Sequence, residues 1–239
     1  MRPDLTTRRT KAIAIVALPV LLVAAFALAS YTALFHVREV RIDGAATLSR
    51  DEVLTLAGVG PGTNVFHLDT DAVAASLEAD PWVASATVER HLPGTVVIRL
   101  QERTPVARSF VGTEPAGIAG DGVVLPGAST DGLPEIRASV GDLPDVARTG
   151  AAMALDALVP ALRARVTAVV AQPSGTFTID LTGGSVVRYG GSGEDAAKAS
   201  ALRAVLAWAA DQGEALSDVD VTVPQAPSAT LSDGSTVTP

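Results

Sequence analysis

Residues 81–105 read PWVASATVERHLPGTVVIRLQERTP. Trp82, Ala84, Ala86 and Val88 alternate with Val83, Ser85, Thr87 and Glu89, and Val96, Ile98 and Leu100 then alternate with Val97, Arg99 and Gln101. A period of two marks a strand with one buried and one wet face. Pro93-Gly94 between the runs is a turn. The stretch is therefore expected to be a β-hairpin whose core face is aliphatic.

Working outward, Leu48-Ser49-Arg50-Asp51-Glu52-Val53 has the grammar of a helix start: Ser49 as N-cap, Glu52 completing a capping box, Leu48 and Val53 at the positions of a hydrophobic staple. Gly58 is placed to end that helix. A second helix is expected after Asp69, with Val73 and Leu77 on one face and Asp80-Pro81 as its stop. Before both, Val37 to Ile42 reads as a short strand that Gly44 breaks. The order is β-α-α-β-β.

These residues resemble a known family. Val40-x-Ile42-x-Gly44, Asn64-x-Phe66-x-Leu68-Asp69, Pro81-Trp82-Val83, Val88-x-Arg90-x-x-Pro93 and Glu102-Arg103-x-Pro105-Val106-Ala107 look like the POTRA domain of the FtsQ/DivIB family of bacterial cell-division proteins. The motif residues Gly44, Phe66, Pro81, Trp82, Arg90, Pro93, Glu102, Arg103 and Pro105 read as structural. Arg90 and Glu102 could pair across the hairpin, and Glu102-Arg103-x-Pro105 could fix the angle between this domain and the next. The resemblance implies an α+β chain with a single N-terminal transmembrane helix, a POTRA domain over 35–103 and a mixed, β-rich FtsQ-type domain over 104–224.

Pattern alone supports the second domain. A helix is expected from Asp142 to Leu158 and a strand from Val166 to Ala171. A hairpin follows, with Phe177, Ile179 and Leu181 before Gly183-Gly184 and Val187 and Tyr189 after it. Ser192, with Asp195, reads as the cap of a helix that carries Lys198 and Leu202 and closes at Gly213. A final strand spans Asp218 to Val223, and the Ser-, Thr- and Pro-rich stretch 225–239 is expected to be disordered.

The amino end reads as an anchor. Residues 1–11 carry Arg2, Arg8, Arg9 and Lys11, and no charge appears over 12–34. As helix that run is roughly 34 Å long, enough for a hydrocarbon core of about 30 Å. The basic side should stay in the cytoplasm, which places a short cytoplasmic tail at 1–11, a transmembrane helix at 12–34 and the bulk outside the plasma membrane. The alternative is a cleaved signal peptide with Ala27-Leu28-Ala29 as its site. Removing the tail's four basic residues and one acid from the chain's 18 and 26 leaves a net charge of −11 outside. Repulsion from anionic headgroups then predicts that the exported part stands off the membrane.

Composition narrows the chemistry. A net charge of −8 argues against nucleic-acid binding. With no cysteine there is no disulfide, thiolate metal site or cysteine nucleophile. The three histidines, His36, His67 and His91, stand at no metal-ligand spacing, and neither a Gly-x-Ser-x-Gly elbow nor His-Glu-x-x-His occurs. Gly190-Gly191-Ser192-Gly193 precedes a helix but lacks the Lys-Ser/Thr pair of a phosphate loop. No catalytic, cofactor-binding or metal residue, and no small-molecule substrate, is therefore expected.

The functional candidate is a strand edge. Val219, Asp220, Val221, Thr222 and Val223 would form a terminal edge strand with unpaired backbone groups that a partner strand can join. The alternative is that the tail folds back over that edge. The family resemblance implies that the last strands and the neighbouring helix, here with Lys198 and Leu202, bind FtsB, which comes with FtsL. It further implies a non-enzymatic scaffold at the division septum that links early and late divisome members and helps control septal wall synthesis. A POTRA-bearing component of a transport or outer-membrane assembly system is the other reading, although no barrel-sized sequence follows.

Overall fold

The computed structural model describes residues 5–238, with residues 5–17 as backbone alone. The chain divides into two units at Glu102/Arg103.

In the first unit α1 (Leu5–Ser30) contains Pro19. Among the described residues no helix is long and apolar enough to cross a membrane. The expected cytoplasmic tail and the first part of the expected span lie outside the residues whose side chains are described. After α1 come β1 (Glu39–Asp43), α2 (Arg50–Ala57), a short 3-10 turn (Val65–His67), α3 (Thr70–Glu78), β2 (Val83–His91) and β3 (Thr95–Glu102). The sheet order is β1-β3-β2, with β1 parallel and β2 antiparallel to the central β3. Val53, Val65, Leu77, Val83, Val96 and Ile98 fill the core.

Local chemistry explains the elements. Ser49 accepts from the Glu52 amide while the Glu52 carboxylate accepts from the Ser49 amide, a complete capping box, and Gly58 ends α2 in the left-handed region at φ 61°. Asp69 caps α3 by accepting from the amides of Asp71 and Ala72. Gly44 is required at φ +87°, because a Cβ there would lie 2.0 Å from the Leu100 carbonyl oxygen. The simple alternation expected from Trp82 to Val88 is interrupted. The pairing of β2 with β3 shifts register between Val83 and Ser85, so Val83 and Val88 are both buried despite opposite parity.

The second unit contains β4 (Pro105–Val111), β5 (Glu114–Ala119), β6 (Val124–Leu125), β7 (Glu135–Ala138), α4 (Asp145–Ala157), α5 (Pro160–Arg163), β8 (Val166–Ala171), β9 (Phe177–Leu181), β10 (Val186–Gly190), α6 (Asp195–Gln212), β11 (Leu216–Asp220), β12 (Ser228–Leu231) and β13 (Thr236–Val237). These strands form one ten-stranded sheet of order β13-β12-β11-β10-β9-β8-β7-β4-β5-β6. Parallel neighbours need a crossover. α4 and α5 supply it between β7 and β8, and α6 supplies it between β10 and β11. Small residues of α4 (Ala151, Ala152, Ala154) and the α6 residues Leu202 and Val205 pack with Val169, Ile179, Val187 and Val219 of the sheet in one core.

Three expectations are corrected here. Residues 225–239, expected to be disordered, contain the hairpin β12–β13. Its Ser/Thr-rich composition conceals an alternation in which Ala229 and Leu231 are buried. Asp233 closes its turn by accepting from the Ser235 amide at 2.9 Å and the Ser235 hydroxyl at 2.7 Å. The N-cap position of α6 is taken by Glu194, in the left-handed region at φ 53° and without a side-chain cap hydrogen bond, and not by Ser192. Arg90 and Glu102 do not pair, because β3 runs antiparallel to β2 and sets Val96 opposite Arg90 but Val83 opposite Glu102.

Candidate partner-binding edge

The strand expected to form the open edge is an inner strand. β11 lies between β10, parallel to it, and β12, antiparallel to it. Of the five residues expected on that edge, Val219 and Asp220 lie in β11, and Val221 follows it. Val219 and Val221 are fully buried. The Val221 amide donates to the Arg188 carbonyl at 3.0 Å, toward β10 and away from any edge. Asp220 then turns the chain by accepting from the Thr222 amide at 2.9 Å and its hydroxyl at 2.6 Å. Only Thr222 and Val223 are exposed, and they lie beyond the strand.

The two helix residues expected beside that edge are buried as well. Leu202 belongs to the core. Lys198 folds inward, donating from Nζ to the Gly191 carbonyl at 2.6 Å, with its ammonium 5.1 Å from the centre of the Tyr189 ring. Tyr189 donates to the Asp195 carbonyl at 3.2 Å. Burial, reinforced by the Asp195 charge, pushes the Tyr189 hydroxyl far above its ordinary range. Lys198 therefore braces the Gly190–Gly193 loop against α6.

The edge has moved outward by two strands. β13 pairs with β12 through Ala229 opposite Val237 and Thr230 opposite Thr236. The Leu231 amide donates to the Ser235 carbonyl at 2.8 Å. Antiparallel alternation then makes Thr236 a non-hydrogen-bonded position whose own N–H and C=O face away from β12. Thr236 is exposed. The signal for this in sequence was Ser232-Asp233-Gly234, a turn between Leu231 and Val237.

Further inside the sheet, Arg188 of β10 binds Asp218 of β11 through Nη2 at 2.6 Å and Nε at 3.0 Å, and lies 3.7 Å from Asp220. Asp218 and Asp220 are thereby committed to a cross-strand pair. Such an exposed pair contributes up to about 1 kcal/mol.

The motif residues of the first unit hold its loops. Arg90 donates to the carbonyls of Phe66 at 2.9 Å and Leu68 at 3.2 Å. Glu102 accepts from the amides of Ala46 and Leu48 at 3.0 Å and Thr47 at 2.8 Å. The Trp82 amide donates to Asp80 at 2.8 Å, which secures the Asp80-Pro81 corner. Phe66 packs against Phe26 and Phe35 at ring separations of 5.7 and 5.6 Å. Pro93 lies in the β2–β3 turn. In the second unit Arg103 binds Asp121 at 2.7 Å, and Pro105 opens β4. Asp121 lies in the Gly120-Asp121-Gly122-Val123-Val124 turn. Only its place two residues before Val123, whose amide it accepts at 3.3 Å, distinguishes it.

The POTRA domain of FtsQ type matches residues 35–103. A cell division protein FtsQ of Mycolicibacterium smegmatis is 35% identical over 188 residues, covering 78% of this chain and 56% of the relative. One from Anaeromyxobacter is 45% identical over 74 residues, 31% of this chain and 25% of the relative. The solved extracytoplasmic domain of the division protein DivIB from Geobacillus stearothermophilus aligns over 46% of this chain and 93% of its own with 17% identity and a TM-score of 0.33. The chain spans about half the length of its mycobacterial relatives. Residues 35–103 thus match a POTRA domain of FtsQ type, and the chain is similar to FtsQ cell-division proteins along most of its length.

Proposed function

We propose that this chain is a non-enzymatic, bitopic scaffold of the division machinery, held in the plasma membrane by α1 with its amino end in the cytoplasm and concentrated at the septum. It captures an FtsB–FtsL type pair and so joins early and late divisome proteins, contributing to control of septal wall synthesis. The observation that carries the reading is the outward-facing backbone of Thr236 at the β13 edge, which offers a strand-addition site. A strand of only two residues limits unspecific pairing in the absence of the partner.

The test has two parts. An amino-terminal fluorescent fusion, with the native copy depleted, is expected at midcell, and depletion alone is expected to give filamentous or branched cells. A uniform envelope signal with normal division overturns the division role. Co-purification of the FtsB–FtsL pair with the full chain is expected to be lost in Thr236→Pro, which removes the outward N–H and none that pairs with β12. Undiminished capture by that variant overturns the edge.

A further inference from the structure

We propose that the α1-facing end of the first unit is a docking surface for the anionic headgroup layer of the membrane, which rests on the reading that α1 lies in a bilayer. The geometry begins with the absence of a free linker. Asn64 donates from Nδ2 to the Ser30 carbonyl at 2.8 Å, the Ser30 hydroxyl lies 3.1 Å from His67 Nε2, and the Tyr31 ring stacks on His67 at 4.3 Å. Ser30 is only 2% exposed. Phe66 meets Phe26, four residues before the end of α1, so the Val65–His67 turn lies alongside the helix about 6 Å inside its end. A helix seated in lipid would carry that turn to the headgroup level.

Two other segments share this end. The carbonyl of Gly94, in the β2–β3 turn, accepts from the amides of Arg38 and Glu39 at 2.8 and 3.2 Å. Leu92 in the same turn is 54% exposed, and Tyr31 and Leu34 are exposed beside it. Aliphatic and aromatic side chains with arginine are the composition of a membrane–water interface.

Two arginines at this end are held by carbonyls and not by acids. Arg38 donates to the Leu34 carbonyl at 3.2 Å, and Arg90 donates to the carbonyls of Phe66 and Leu68. Among the described residues neither guanidinium has a carboxylate within 4.0 Å. The acids nearby are committed: Glu39 to Arg41, Glu89 to Arg99 and His91, and Asp69 to the cap of α3. Arg38 and Arg90 thus stand at the helix end held by carbonyls and not by carboxylates. Net charge alone predicts stand-off, whereas the local charge predicts docking on an anionic surface.

The lack of cysteine allows single nitroxide labels on the full chain in nanodiscs of phosphatidylcholine, with and without phosphatidylglycerol. Labels go at Leu21→Cys in α1, Leu92→Cys at the proposed surface and Ala46→Cys at the opposite end of the sheet. Collision with a water-soluble nickel chelate is the readout. The Leu21 label should be shielded in both discs and the Ala46 label open in both. The Leu92 label should be shielded most with phosphatidylglycerol. Arg38→Glu should weaken the docked state by at least about fivefold and open the Leu92 label. An open Leu92 label beside a shielded Leu21 label overturns the docking and leaves the anchor standing. An open Leu21 label overturns both. Equal shielding of Leu92 and Ala46 overturns end-on docking, and indifference to phosphatidylglycerol overturns the charge argument without reliance on any charge variant.

Discussion

Val221 donates its main-chain N–H to the Arg188 carbonyl at 3.0 Å, on the β10 side of its strand. Val221→Pro therefore breaks an internal contact and not an edge. It leaves a buried carbonyl unpaired, a cost of about 1–3 kcal/mol, and strains a fully buried position. The expected result is a lowered melting temperature of the second unit, with any loss of partner capture following unfolding. Thr236→Pro should leave the melting temperature near wild type. Circular dichroism melts of the two variants side by side check this.

Gly44→Ala is expected to destabilise the first unit selectively. The position is at φ +87°, and the added methyl would meet the Leu100 carbonyl oxygen at 2.0 Å. Backbone strain alone costs about 1–3 kcal/mol, and β1 must also separate from the end of β3. Hydrogen exchange should show faster amides in β1 and β3, with those of β8 and β9 unchanged. Uniform protection across both units would contradict it.

The first unit was legible because its signals are local. Ser49 and Glu52 stand three apart and cap each other as their spacing says, and Asp69 behaves the same way. What failed was long-range. The shift at Val83/Ser85 exchanges which parity is buried, and nothing in a period-two pattern marks where a bulge falls. Residues 228–237 were hidden by composition, since a hydroxyl-rich stretch reads as loop when only Ala229, Leu231 and, in part, Val237 turn inward. That single omission displaced the whole candidate edge, because β11 is an edge only if nothing pairs with it. Lys198 is placed at the candidate site by resemblance alone, and its burial depends on the Gly190–Gly193 loop, whose Gly191 carbonyl accepts its ammonium.

Glu102 sets a pH dependence for the first unit. Burial raises its carboxyl pKa, but the amides of Leu48, Thr47 and Ala46 outweigh that and hold it below its ordinary value of 4.5. A group depressed on folding stabilises above its unfolded value and loses that contribution as pH falls through the folded one. Stability of the first unit should therefore decline from about pH 4.5 downward. Glu102→Gln should flatten that decline and lower stability at neutral pH by roughly 2 kcal/mol, as expected when hydrogen bonds to a charged group are weakened. Urea titrations at pH 7 and pH 4 compare the two chains.

Lys198 separates a structural role from a partner contact. Its Nζ reaches the Gly191 carbonyl at 2.6 Å from a side chain that is buried with the residue at 5% exposure. Lys198→Ala leaves that carbonyl without its donor and opens space beside Tyr189, so the second unit should lose about 1–3 kcal/mol. Lys198→Met keeps most of the volume while still removing the donor, and should recover part of the loss. If the lysine acts only inside the fold, both variants capture the FtsB–FtsL pair undiminished below their melting temperatures. A variant that melts like wild type yet fails to capture would instead place the ammonium at the interface, and would require the Gly190–Gly193 loop to open when the partner binds.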